Sequence, residues 1–138
     1  SEALSIAPRE HQIYIMRGFV YLSTLQNLNA AERDFSRAIE LAPKVPLGYY
    51  YRGLTRINAQ LLQTAEADIS YAIKLGLKES EAYMNLAITQ GMLRKYPEAL
   101  ESLTQAIKLM PQNYALYYER GNIYRSAGRY AEAVKDYE

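Results

Sequence analysis

RAIELAP, residues 37–43, returns almost unchanged further along the chain. YAIKLGL stands at 71–77, QAIKLMP at 105–111, and a fourth related string, EALSIAP, at 2–8. A string that recurs at a fixed interval marks a repeat architecture, so the interval is sought before local structure. Gly18, Gly53, Ala87 and Gly121 form a series of small residues 35, 34 and 34 apart. Tyr14, Tyr49, Tyr83 and Tyr117 each stand four residues earlier. Downstream a second block repeats a small residue, a large apolar one and alanine: Ala31, Phe35, Ala38; Ala65, Ile69, Ala72; Ala99, Leu103, Ala106. A fourth copy carries Ala133 and Tyr137. Pro43 and Pro111 close two copies, and Leu77 stands in that place in another.

Composition narrows the classes. The 138 residues are 49% hydrophobic and 22% charged, which is globular and not disordered. Sixteen basic and 15 acidic residues leave a net charge of +1, so nothing calls for nucleic acid as a partner. No apolar run approaches the roughly 18 residues of a membrane-spanning helix, and no membrane partner is expected. The absence of cysteine excludes disulfides and thiolate metal sites. Fourteen tyrosines against two phenylalanines and no tryptophan suit half-buried positions, where a ring packs and its hydroxyl stays wet. Nothing alternates with period two, so the chain reads as helical.

The repeat resembles the tetratricopeptide repeat, a 34-residue pair of antiparallel helices. An aromatic at repeat position 4, a small residue at 8, alanine at 20, a large apolar at 24, alanine at 27 and proline at 32 carry the resemblance. It implies an all-α, right-handed superhelical solenoid of helix pairs. Helices are expected near 9–23, 29–42, 46–59, 62–75, 80–93, 97–110, 113–127 and 130–138. The repeats then span 11–45, 46–79, 80–113 and 114–138, with 1–10 as the tail of a preceding repeat. The 35-residue interval implies one extra residue, assigned to the QNLNAA turn of the first copy. Glycine at 8 and alanine at 20 are expected to face each other and let the helix axes approach, and proline at 32 to stop the second helix.

Counted back from Gly18, Ala3 falls on position 27 and Pro8 on position 32, so EALSIAP reads as the end of a second helix. Ser1 and Glu138 both fall on position 25, and the chain is expected to be a segment of a longer array. Ends in phase also allow head-to-tail self-association.

Arginine holds position 7 in three copies, Arg17, Arg52 and Arg120, and aspartate position 23 in the same three, Asp34, Asp68 and Asp136. Leu86 and Ser102 replace both in the third copy, which points to pairing within each hairpin. The other reading is a row of arginines for an acidic or phosphate-bearing ligand. His11, the single histidine, has no partner at helical spacing and reads as a solvated helix-start residue. No catalytic residue, metal or cofactor is expected.

The resemblance implies that first helices line the concave side, through positions 2, 5, 6, 9 and 12. The candidate groove residues are Ile15, Phe19, Tyr50, Leu54, Met84, Asn85, Ile88, Tyr118 and Asn122, with the asparagines bonding a ligand's backbone. Relatives that hold the acidic tails of heat-shock chaperones use a two-carboxylate clamp of lysine, arginine and asparagine. Here those places carry Ile15, Phe19, Tyr51, Glu81 and Asn85 in one frame, and Tyr50, Leu54, Asn85, Ala115 and Glu119 in the next, so the clamp is absent. The function implied is a non-catalytic scaffold binding a peptide or amphipathic helix in an apolar, Tyr- and Met-bearing groove. Burial of those residues by neighbouring repeats, a structural self-assembly module, and a docking arm of a larger enzyme stay open beside it.

Overall fold

The computed structural model describes the backbone of residues 2–138 and the side chains from residue 10 onward. Eight helices follow one another among the described residues: α1 (Glu2–Ser23), α2 (Leu28–Leu41), α3 (Pro46–Asn58), α4 (Leu62–Lys74), α5 (Ser80–Met92), α6 (Tyr96–Leu109), α7 (Tyr114–Ser126) and α8 (Tyr130–Tyr137). They form two compact units, Ser1–Leu77 and Lys78–Glu138, and the division falls at the copy that has Leu77 in place of the closing proline. In the first unit α1 packs on α2, α2 on α3 and α3 on α4, and α1 also meets α3. In the second unit α5 packs on α6, α6 on α7 and α7 on α8, and α5 meets α7. Each unit is therefore two stacked helical hairpins.

Local chemistry sets the ends. Pro46 and Pro97 sit in the first turn of their helices, where the missing N–H is not needed. Asn27 and Asn113 cap α2 and α7 by accepting from the amides of Ala30 and Ala115. Helices α2 and α6 stop two residues short of Pro43 and Pro111, whereas α4 ends through Gly76 at φ 114°. Tyr49 and Tyr117 donate their hydroxyls to the carbonyls of Pro43 and Pro111, both at 2.9 Å. Positions 4 and 32 thus tie consecutive hairpins together.

Three expectations are corrected. First, α1 does not stop at Pro8 but runs unbroken from Glu2. Residues 1–10 contain no glycine, asparagine or aspartate to turn the chain, and the proline costs the helix the hydrogen bond it cannot donate. The repeat positions expected of the Ala3 and Pro8 side chains lie outside the described side chains. Second, His11 is not solvated: standing well inside α1 and not at a start, it is buried, and its Nδ1 has no partner among the described residues. Third, the extra residue precedes Gln26. Gln26, Gln60 and Arg94 all take positive φ at an interval of 34, and Gly128 does so at the same interval, so the insertion lies in the stretch between Gly18 and Gln26. The Asn27 amide accordingly reaches back six residues to the Tyr21 carbonyl, whereas Leu61, Lys95 and Arg129 reach back five.

The hairpins close most tightly against position 24. A methyl group added at Gly18 would lie 2.7 Å from the Phe35 ring, at Gly53 2.7 Å from Ile69, and at Gly121 2.6 Å from Tyr137. Ala65 is nearby too, its carbonyl oxygen 3.3 Å from that point on Gly53. Ile15, Ala31, Phe35 and Ala38 form the core of the first hairpin, and Ala87, Ala99, Leu103, Ala106, Leu116 and Ile123 that of the second unit.

Candidate functional site

The three arginines of position 7 are hairpin staples. Arg17 donates to both oxygens of Asp34 at 2.8 and 2.7 Å, Arg52 to both of Asp68 at 2.9 Å, and Arg120 to both of Asp136 at 2.9 and 2.7 Å. Each guanidinium also lies over the tyrosine three residues earlier: Arg17 over Tyr14 and Arg120 over Tyr117 at 5.4 Å, Arg52 over Tyr49 at 5.9 Å. The hydrogen bond to its aspartate raises the pKa of each arginine above the ordinary value. A fork filled in this way has little left for a phosphate, and the within-hairpin reading holds.

Sequence reasoning missed the wider network in the first unit. Arg56 donates to Glu32 on α2 at 2.6 Å and to Asp68 on α4 at 2.9 Å, so one side chain clips three helices.

The nine candidate groove residues separate. Ile15 is buried in the first core, against Ala31, Phe35 and Ala38. Tyr50 is buried as well, its ring 5.5 Å from that of Tyr51. Both are buried, and Ile15 is covered from α2 of its own hairpin. Phe19 is exposed and meets Tyr51 edge-on at 5.6 Å; Tyr51 stacks on Phe35 at the same distance. Tyr51 is thus the hinge of an aromatic ladder from core to surface, and its position 6 on the expected concave side was the available signal. Leu54 is half-buried on the same helix.

In the second unit Met84, Asn85, Ile88 and Asn122 are half-buried and Tyr118 is exposed. Met84 and Tyr118 line different clefts. Met84 lines an open cleft of about 540 Å³ with Glu79, Glu81, Leu109, Met110 and Leu116. Tyr118 lines a second, of about 930 Å³, with Tyr114, Tyr117, Lys135 and Tyr137. The Asn122 side-chain carbonyl accepts from the Tyr137 hydroxyl at 2.6 Å, so one of its ligand-facing groups is already engaged. Leu109 and Met110 escaped the sequence reading because they stand at the end of α6, a second helix, and only first helices were considered.

The tetratricopeptide repeat family matches the sequence over residues 11–45 and again over 84–138. No curated protein matches it. Among solved structures the chain is similar to MamA, with a TM-score of 0.87 and 22% identity over 99% of this chain and 79% of that one. It is similar to YrrB, described as a TPR protein with an unusual peptide-binding site, with a TM-score of 0.81 and 20% identity over 90% and 63% of the two chains. It is also similar to the first TPR of Spaghetti (RPAP3), bound there to the HSP90 peptide SRMEEVD, with a TM-score of 0.82 and 18% identity over 87% and 94%. Identities this low carry the fold alone. Stacked helical pairs, the recurring small and aromatic positions and two separate family matches agree: the chain belongs to the tetratricopeptide repeat family.

Proposed function

We propose that the protein is a non-catalytic interaction scaffold, and that the cleft over Met84 takes a peptide with a large apolar residue beside a lysine or arginine. The observation that carries this reading is the lining of that cleft. Met84, Leu109 and Met110 make an apolar floor over the buried Leu116, and methionines adapt to a ligand's shape. Glu79 and Glu81 stand exposed on the rim, and Lys78 offsets only one of the two charges. An acidic tail of the SRMEEVD kind meets repulsion here, since Glu81 stands where the clamp of chaperone-binding relatives needs a cation. The first unit adds an aromatic surface at Phe19, with Leu54 beside it in sequence register. Peptide binding by YrrB and Spaghetti supports the class of partner and not its identity.

Random peptides selected by display on the immobilised chain test this. The expected winners pair a Leu, Met or Phe with a neighbouring Lys or Arg. The double variant Glu79→Gln/Glu81→Gln, exposed at both positions, should weaken them about tenfold, near 1.4 kcal/mol, with circular dichroism showing that the fold persists. Selection of acidic peptides, or binding indifferent to the loss of the two charges, overturns the reading.

A further inference from the structure

Sulfur gathers at one place in this chain. The sequence has no cysteine and four methionines, Met16, Met84, Met92 and Met110, and two of the four line the cleft of the second unit. Met84 stands at repeat position 5 and Met110 at position 31. The other copies carry Ile15, Tyr50 and Tyr118 at position 5, and Ala42 and Gly76 at position 31. A thioether at both places is therefore peculiar to the third copy.

The two are presented differently. Met84 is half-buried on α5 and packs against the core cluster that contains Leu103 and Leu116. Met110, at the C-cap of α6, is 52% exposed. Its backbone is held on both sides: the N–H donates to the Ala106 carbonyl at 3.0 Å, and the carbonyl accepts from the Asn113 amide at 3.1 Å. A fixed backbone thus holds out a thioether that water reaches and that a bound apolar side chain would cover.

Resting on the peptide-binding reading of this cleft, we infer that Met110 is a reversible oxidation site that closes the cleft to apolar side chains. The oxidant is a hydroperoxide, with hydrogen peroxide the simplest. A lone pair of Met110 Sδ attacks one peroxide oxygen, and the S–O bond forms as the O–O bond breaks. The hydroxide released takes up the hydroxyl proton of the oxidised sulfur and leaves as water. Sulfur gives up two electrons, the peroxide takes them, and methionine sulfoxide remains. Two thiols of a reductant reverse the step, with water and a disulfide as products. The sulfoxide oxygen is a hydrogen-bond acceptor, and an apolar ligand side chain strips water from it without returning a donor. The fold meets no such penalty, because the Met110 side chain stays in water while the cleft is empty. Oxidation therefore acts on binding and not on stability.

One display-selected peptide, titrated against the chain before and after graded treatment with dilute hydrogen peroxide, tests this. Mass spectrometry of proteolytic fragments reads the extent of oxidation at each methionine. Met110 should oxidise ahead of the half-buried Met84. The chain with sulfoxide at Met110 should bind at least about tenfold more weakly, with circular dichroism unchanged. Met110→Leu keeps an apolar floor and should bind within about twofold of the wild type. It should keep that affinity after treatment, while the exposed Met16 and Met92, outside the cleft, still oxidise. Methionine sulfoxide reductases for both epimers, with dithiothreitol, should restore the wild-type affinity. Full affinity with Met110 oxidised, an equal loss in Met110→Leu, oxidation of Met84 ahead of Met110, or a loss the reductases do not reverse overturns the inference and leaves the peptide reading standing. A display that returns no apolar and basic peptide overturns both.

Discussion

The hairpins α3–α4 and α5–α6 close with opposite chemistry. In α3–α4 the aspartate of position 23, Asp68, is buried and receives three hydrogen bonds, two from Arg52 and one from Arg56, each of 2.9 Å. In α5–α6 the same three positions carry Ser102, Leu86 and Gln90. There the Ser102 hydroxyl donates to the Gln90 side-chain carbonyl at 2.7 Å and no charge is involved. A neutral bond between positions 23 and 11 therefore does the joining that an ionic triad does in its neighbour. Charge at these positions is one solution to closing a hairpin, which is why its recurrence in three copies is no sign of an anion-binding row.

Removing the centre of each joint breaks the comparison most sharply. Asp68→Ala strands two half-buried arginines that α2 and α4 hold in place, and a loss of about 2–4 kcal/mol is expected, read by urea denaturation. Ser102→Ala strands only the Gln90 carbonyl, for about 1 kcal/mol. Equal losses would mean that the ionic triad adds nothing beyond the neutral bond.

A smaller effect separates the hairpins at position 8. Gly53→Ala drives a methyl group to 2.7 Å from Ile69 and 3.3 Å from the backbone oxygen of Ala65, whereas Ala87 in the other hairpin already carries that methyl against a core containing Leu103. Overpacking costs about 1–3 kcal/mol and the gain in helix propensity returns up to about 1, so a net loss near 1 kcal/mol is expected. Ala87→Gly should lose a similar amount by propensity alone, about 1 kcal/mol, without any clash to relieve. A stabilised Gly53→Ala chain would show that the tight approach is slack.

These positions also show what was legible. Helix pairs, their turns and the Arg–Asp staples follow from residues repeated at 34, because repeated packing problems receive repeated side chains. Position 5 is less uniform than the period suggests: Ile15 and Tyr50 are buried there and Tyr118 is exposed, and an apolar or aromatic residue satisfies either setting. Spacing could only bracket the extra residue between Gly18 and Ala31, whereas backbone φ places it before Gln26. Arg56 and the cleft floor at Met110 depend on contacts between hairpins, which a period within one hairpin does not record.

The smallest effect sharpens the comparison at positions 4 and 26. In α3–α4 the Tyr49 ring meets Tyr71 edge-on at 4.7 Å; in α5–α6 Gln105 occupies the place of Tyr71. Burial, and then the neighbouring Tyr71, push the Tyr49 hydroxyl above its ordinary pKa of 10.0. The folded chain thus holds that proton more tightly than the unfolded chain. The stability linked to it is complete below pH 10 and is lost as pH rises through the raised value. Tyr49→Phe removes the titrating group together with its hydrogen bond to the Pro43 carbonyl, and should cost about 0.5 kcal/mol at pH 8. Between pH 9 and about 11 the two chains should converge in denaturant midpoint, because only the wild type has that proton left to lose. A gap that stays constant across that window would assign the alkaline loss to the other tyrosines and leave Tyr49 as a hydrogen-bond donor alone.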